Sequence, residues 1–364
     1  MTRCSILNGD VRAMLPTLDA DSVQTVVTSP PYWGLRDYGT ASWEGGDAEC
    51  PHRAPATGGD LQKATRAADQ GTPFLSTCKL CGARRIDNQI GLEETPDEYV
   101  KTLVDVFRSV KRVLKPDGTL WLNLGDSYAA SGQAGTFSTT TDARKVISKN
   151  YQGSGGRVAG LKPKDLVGIP WRVAFALQSD GWYLRSDIIW HKPNPMPESV
   201  TDRPTKSHEY MFLLSQSSRY YYDADAVKER CSESNINDFI KRKTLNNKGK
   251  GDGTYETVRP DLYRSREAYM PNDHKRNLRS VWTITTKPYA EAHFATFPMD
   301  LVAPCIKAGS RKDDLVMDPF SGSGTTGVVA QRCGRRFVGI ELNPEYVKLA
   351  ESDLTGPLFA GGDS

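Results

Sequence analysis

Asp318-Pro319-Phe320-Ser321-Gly322-Ser323-Gly324-Thr325-Thr326-Gly327 is the stretch from which the fold of this chain is read. Apolar Leu315-Val316-Met317 runs into it as a short buried strand, and the residues after it, to about Arg332, read as a helix. A second strand, Arg336–Ile340, leads to Glu341, and a last helix covers Pro344–Ser352. Gly322, Gly324 and Gly327 satisfy G-x-G-x-x-G. That pattern is weak alone and strong between a strand and a helix with an acid at the next strand end. The glycines let backbone approach a ligand closely, and Glu341 can accept both hydroxyls of a ribose. A nucleoside-bearing cofactor follows. No Gly-Lys-Ser/Thr continues the turn, which disfavours a triphosphate-binding loop. A carboxylate at Asp318 repels a pyrophosphate and attracts an amino cation. S-adenosylmethionine therefore suits the turn better than a dinucleotide, with a nicotinamide-dependent oxidoreductase as the distant alternative.

Outward from this turn, strand and helix patterns alternate. Residues 5–9 and Val23–Thr28 read as strands, with Asp10 just past the first and Thr28 closing the second. Apolar residues recur at helical spacing from Pro96 to Lys115, with Thr95 as N-cap. Pro116-Asp117-Gly118 reads as a tight turn before strand Thr119–Leu124. Asp165–Gln178 and about 298–307 read as helices; Trp182–Trp190 and Glu209–Ser215 read as strands. The fold class expected is α/β, a doubly wound, mostly parallel sheet. The expected division has a catalytic half over 1–39 and 92–215, interrupted by a metal-binding insertion at 40–91 and a mobile loop at about 129–164. A recognition region follows at 216–290, a cofactor-binding half at 291–356 and a flexible tail at 357–364.

A second motif sits on the strand that ends at Thr28. In Ser29-Pro30-Pro31-Tyr32, two prolines stiffen the turn and remove two backbone donors. Carbonyl acceptors remain, notably that of Pro30, beside the Ser29 hydroxyl and the flat faces of Tyr32 and Trp33. An amino group conjugated to an aromatic ring is a poor nucleophile. Two acceptors on its hydrogens turn its lone pair toward an electrophile, while an aromatic face holds the ring. No cysteine lies in the turn, so a covalent ring adduct is not indicated.

With both motifs present, the chain resembles the amino-group DNA methyltransferases that use S-adenosylmethionine, in the order that puts the catalytic tetrapeptide first and the cofactor turn last. The resemblance covers roughly residues 4–38, 92–128, 165–215 and 290–354. It implies a Rossmann-like methyltransferase fold with permuted motif order. It implies catalytic roles for Ser29, Pro30, Pro31 and Tyr32. It implies cofactor contacts from Asp10, Thr28, Phe297, Asp318, Phe320, Gly322, Gly324, Thr325, Glu341 and Asn343, with His293–Pro298 lining the methionine end. Ile188–Asn194 resembles the border of the target-base pocket, where Trp190, Lys192 and Asn194 join Trp33. Double-stranded DNA is the implied partner, and the buried, paired position of an amino nitrogen in the duplex implies base flipping. Serine at the first tetrapeptide position favours cytosine N4 in this family; adenine N6 is the alternative. The resemblance leaves open a cognate restriction endonuclease and the choice between monomer and homodimer. A DNA-binding protein without catalysis would be expected to have lost one of the two motifs, and both are intact.

The remaining features are compositional. Charge is nearly balanced, at +3 over 364 residues, which excludes a wholly basic nucleic-acid coat. The positive excess concentrates in 241–287, with 12 Lys/Arg against 5 Asp/Glu, among Tyr255, Tyr263, Tyr269 and Trp282. Cations for phosphate and flat side chains for bases suit nucleic acid. Seven cysteines and the lack of an apolar leader or membrane-length apolar run point to a reduced, cytoplasmic setting. Cys50-Pro51-His52 and, 26 positions on from His52, Cys78-Lys79-Leu80-Cys81-Gly82 suggest a closed structural zinc site of three thiolates and one imidazole. Asp47 is a substitute ligand for the weaker first half, and a redox Cys-x-x-Cys is the alternative reading.

Overall fold

The computed structural model describes residues 4–34, 40–54, 72–73, 77–129, 160–234, 236, 275–286 and 297–355. Its strands are β1 (Cys4–Asn8), β2 (Val23–Thr28), β3 (Ser42–Glu44), β4 (Arg53–Ala54), β5 (Thr72–Pro73), β6 (Arg84–Ile86), β7 (Leu114–Leu124), β8 (Tyr183–His191), β9 (His208–Ser215), β10 (Glu229–Arg230), β11 (Lys275–Arg276), β12 (Val281–Thr283), β13 (Leu315–Asp318) and β14 (Arg336–Glu341). Its helices are α1 (Val11–Met14), α2 (Pro96–Val113), α3 (Ile169–Ser179), α4 (Met299–Gly309), α5 (Thr325–Arg332) and α6 (Pro344–Thr355). Eight strands form one sheet in the order β1-β14-β13-β2-β7-β9-β8-β12. All neighbouring pairs are parallel except those of β9 with β7 and β8.

Because β2 lies in the middle of a parallel sheet, its six residues are buried on both faces, and Val-Gln-Thr-Val-Val-Thr reads as a continuous rather than alternating pattern. The helix α2 covers one face with Tyr99, Leu103, Phe107 and Val110, all fully buried. Its start is fixed by a capping box: Glu98 N–H donates to Thr95 Oγ1 and Thr95 N–H donates to Glu98 Oε2. The other face is covered by α4 and α5, through Leu301, Val302, Ile306, Val328 and Val329.

The sheet's key junction is between β13 and β2, which are adjacent and parallel. From β13 the chain passes through α5 to β14 on one side; from β2 it passes through α2 to β7 on the other. At such a reversal the two exit loops diverge and leave a crevice at the carboxyl ends of the strands. The glycine turn leaves β13 there and Ser29–Tyr32 leaves β2 there, so motifs about 290 residues apart in sequence open the same crevice.

Three expectations need correction. Pro116-Asp117-Gly118 is not a turn between two elements: strand pairing already begins at Leu114, and the tripeptide bulges out of a ladder that resumes at Thr25↔Thr119. Helix α3 starts at Ile169, four residues later than expected, where Asp126 Oδ1 accepts the N–H groups of Gly168 and Ile169. Trp282, expected among the flat side chains available to bases, is instead buried: within 216–290, β12 joins the edge of the main sheet and packs Trp282 against Trp121, with its indole N–H on the Arg279 carbonyl. Tyr255, Tyr263, Tyr269, His293–Thr296, most of the 129–164 loop and the 357–364 tail lie outside the described residues.

Candidate active site and metal cluster

Asp318 joins the two motifs. It is fully buried, and its Oδ1 accepts from Thr28 Oγ1 at 2.6 Å and from the Phe320 N–H at 3.0 Å. Its Oδ2 accepts from Thr326 Oγ1 at 2.7 Å. Burial pushes its pKa up to about 6, because the three hydrogen bonds offset only part of the cost of desolvating the charge. In this arrangement both oxygens face protein donors. Asp318 therefore fastens the end of β2 to the glycine turn instead of opening onto the crevice, and Thr28 is likewise turned inward.

The three glycines of the turn differ in what surrounds them. A Cβ on Gly322, where φ is +52°, would meet nothing within 4 Å, so space is open in front of the turn. On Gly324 it would meet Ala350 Cβ at 2.8 Å, and on Gly327 the Phe337 ring at 2.7 Å. Gly322 thus admits a ligand, while Gly324 and Gly327 let α5 close onto α6 and β14. Among the described residues, the buried hydroxyls of Ser321 and Ser323 have no hydrogen-bond partner. Beside them Glu341 accepts the N–H of Gly322 and of Asn343, each at 2.8 Å. Burial raises its pKa, as does the charge of Asp318, against those backbone bonds. Orphaned hydroxyls, an acid and an open approach over glycine fit a polar nucleoside-bearing ligand.

The other expected cofactor residues ring this site less directly. Asp10 caps α1 through the Arg12 N–H at 2.8 Å and pairs with the Arg12 side chain, which holds its carboxyl below the ordinary range despite partial burial. Asn343 uses its side-chain oxygen on the Glu345 N–H at the start of α6. Phe320 packs against the α2 face of the sheet and Phe297 against the α4 face. Thr325, partly exposed, opens α5.

The tetrapeptide is held from beneath. Tyr99 Oη donates to the Pro31 carbonyl at 2.8 Å, whereas the Pro30 carbonyl has no hydrogen bond among the described residues. Gly34 N–H donates to the Gly91 carbonyl and Trp33 Nε1 to the Glu93 carbonyl, each at 2.9 Å. Ser29 Oγ lies 3.4 Å from Tyr32 Oη. The Tyr32 ring rests on Gly125, where a Cβ would come within 2.5 Å of Cε2. Tyr32 Oη reaches Glu209 Oε2 at 2.7 Å and Asn123 Oδ1 at 3.0 Å. Glu209, Asn123, Tyr99 and Gly125 are not legible from the motifs.

The expected pocket border is only partly where the sequence suggests. Trp190 is 3% exposed and its indole N–H donates to the Ile284 carbonyl, so it is a core residue and offers no stacking face to a base. Lys192 lies 4.2 Å over the Trp190 ring and pairs with Glu209. Asn194 is bonded both ways to the backbone of Thr286, at 3.1 Å each. A cavity of about 160 Å³ lined by Trp121, Arg185, Tyr220, Tyr222 and Arg279 contains none of the tetrapeptide or turn residues.

In the insertion, Cys50, His52, Cys78 and Cys81 place four ligand atoms within 4.8 Å of one another. Cys50 Sγ and Cys78 Sγ are 3.7 Å apart, and Cys81 Sγ and His52 Nδ1 are 3.5 Å apart. Around a tetrahedral zinc with Zn–S of about 2.3 Å and Zn–N of about 2.05 Å, those separations are about 3.8 and 3.6 Å. The donor set and its spacing fit that ion, and the sulfur spacing is far too long for a disulfide. The Cys78–Gly82 turn closes by Gly82 N–H on the Cys78 carbonyl, and Trp43 stacks on His52 at 4.4 Å. Asp47, the alternative ligand, instead shapes the Glu49–Cys50 turn through its side chain and carbonyl.

A family model described as DNA methylase matches residues 23–352. The Type II methyltransferase M.SmaI of Serratia marcescens is 43% identical, over 96% of this chain and 90% of its own length. M.Cfr9I of Citrobacter freundii is 42% identical, over 97% and 88%. Among solved structures, the PvuII DNA methyltransferase (cytosine-N4-specific) superposes with a TM-score of 0.55 at 17% identity, covering 98% of this chain and 88% of that one. That likeness bears on the fold alone. Among the described residues no helix is long and apolar enough to cross a membrane.

Proposed function

From the premise that the chain belongs to the DNA methylase family, as an S-adenosylmethionine-dependent enzyme acting on an exocyclic amino group of DNA, we propose that its target is the N4 amino group of cytosine. The observation that carries this is the turn at the end of β2: Ser29 begins it, the Pro30 carbonyl has no hydrogen bond among the described residues, and the neighbouring Pro31 carbonyl is already taken by Tyr99. The cofactor supplies a sulfonium methyl group. Glu341, Gly322, Ser321 and Ser323 would hold its nucleoside, with Asp10 toward the adenine, while Asp318 fixes the turn that carries them.

On the chain's side, the chemistry is positioning and polarisation. The Pro30 carbonyl accepts one hydrogen of the extruded amine and Ser29 Oγ engages the other, so the nitrogen lone pair points away from the ring. Tyr32, held on Gly125, supplies the flat face. After transfer the amine has gained positive charge and its proton is lost easily, through Ser29 or water. The cysteine and histidine cluster is proposed as a structural zinc site: four protein ligands leave no position for water. Similarity to Type II methyltransferases is compatible with a cognate restriction endonuclease, which stays an open partner.

The test is incubation of the purified protein with unmethylated plasmid and isotope-labelled S-adenosylmethionine, then digestion and mass spectrometry of nucleosides. Labelled 4-methylcytosine is the expected product. Labelled 6-methyladenine overturns the choice of base, and label in neither overturns the substrate assignment.

A further inference from the structure

Tyr32 is anchored at both ends. Its backbone lies in the proline turn, and its hydroxyl reaches back onto the sheet, where three strands converge. Asn123 comes from β7, Lys192 follows β8 and Glu209 lies on β9. A phenol has one proton, and the shorter contact gives it to Glu209 Oε2, at 2.7 Å against 3.0 Å for Asn123 Oδ1. The same carboxylate oxygen accepts from Asn123 Nδ2 at 3.3 Å, and the other is paired with the Lys192 ammonium. Asn123 is itself fixed by donating to the Tyr210 carbonyl at 3.0 Å. Lys192 is seated on the Trp190 ring. Glu209 and Lys192 are both largely withdrawn from solvent, with side chains 16% and 18% exposed. Such a pair adds little net stability compared with apolar packing, yet each member is costly to leave alone. Its placement under the tetrapeptide therefore calls for a role other than stability.

We propose that Glu209 is a positioning residue for the methyl transfer. It fixes where the Tyr32 ring lies by holding its hydroxyl, packing on Gly125 sets the plane of the ring, and Lys192 keeps the Glu209 carboxylate in place. A ring tethered at both ends cannot turn about its Cα–Cβ bond, so the face that meets the extruded base is set before the base arrives. This rests on the amino-methyltransferase reading of the tetrapeptide. It also reassigns Lys192: the cation acts on Glu209, not on the DNA. Burial, then the negative charge of Glu209, drives the Tyr32 hydroxyl far above the ordinary phenol range, so it stays a donor at any working pH.

The experiment is a double-mutant cycle of Glu209→Gln and Tyr32→Phe. It is read as kcat and as KM for S-adenosylmethionine, on plasmid that the wild-type protein is first shown to methylate. A reacting geometry loosened by about 1 Å costs on the order of 100-fold. Glu209→Gln should accordingly lower kcat by about 10- to 100-fold with KM for the cofactor within about twofold. In the Tyr32→Phe background, which lacks the hydroxyl, the same change should cost less than about twofold more. Equal losses in both backgrounds, or a loss in KM alone, overturn the proposal. If Glu209→Gln does not fold, Glu209→Asp, which keeps the charge and shortens its reach, is read in the same cycle with the same two criteria. Failure of the wild type to methylate amino groups overturns the function itself and is seen before any variant is made.

Discussion

Replacing Asp318 by Asn should make the protein more stable above pH 6 and leave the sheet intact. The reason lies in the charge that the wild type buries. Asp318 is fully enclosed, and its pKa is raised from the ordinary 3.8 to about 6. An acid whose folded pKa is raised contributes most to stability below its unfolded pKa and loses that contribution as pH rises through the folded one. The shift corresponds to about 3 kcal/mol at neutral pH and above. Asn stands in for the protonated acid. Its oxygen can keep the Thr28 and Phe320 donors, while its amide faces Thr326 Oγ1, whose proton can turn to the Val27 carbonyl at 3.3 Å. The stability difference, variant minus wild type, therefore contains a part that grows with pH, reaching about 3 kcal/mol at pH 7.5 and roughly half of that at pH 5. Urea unfolding of both proteins at pH 5, 6 and 7.5, without cofactor, measures it. Among the other titrating groups, Glu341 is the one whose pKa the Asp318 charge raises; without that charge its carboxyl ionises more readily in the variant, which adds to the difference in the same direction as pH rises. A difference that stays flat over this range, or falls, refutes the reasoning that Asp318 carries a buried charge.

Two further outcomes follow from the site. Freshly purified protein should hold one zinc per chain by elemental analysis, and Cys81→Ser should lose it, with faster proteolysis within 40–91; because Arg12 Nη2 bonds Asn88, Gly34 bonds Gly91 and Trp33 bonds Glu93, methylation should fall as well. Zinc-free yet fully active protein contradicts this. Gly125→Ala would press a methyl group into the Tyr32 ring, at 2.5 Å from Cε2, and should cut kcat by about 10-fold or more while the urea midpoint changes little; unchanged kcat would show that the ring is free to move aside.

What could be read in the sequence was what repeats a period or completes a motif. The boundaries of β2 and the cap of α2 are local facts, set by an apolar run and by Thr95 three residues before Glu98, and the structure reproduces both. The glycine turn and the proline turn were legible for the same reason. Their meeting was only implied, because adjacency of β13 and β2 is a matter of strand order and no residue in either strand states it. The errors have one cause. Trp190 and Trp282 look, along the chain, like flat side chains available to a base, yet β12 pairs with β8 and puts them opposite one another, where both are buried. Lys192 looks like a DNA contact until β9 brings Glu209 against it. Aromatic and charged residues carry no mark of which way they face; pairing decides it. The same pairing makes the site more than its motif. Tyr32 is positioned by Gly125 and Asn123, which are adjacent to one strand's end, and by Glu209 from another, 177 positions away. The tetrapeptide names the chemistry, and the sheet beneath it sets the angle at which that chemistry is presented.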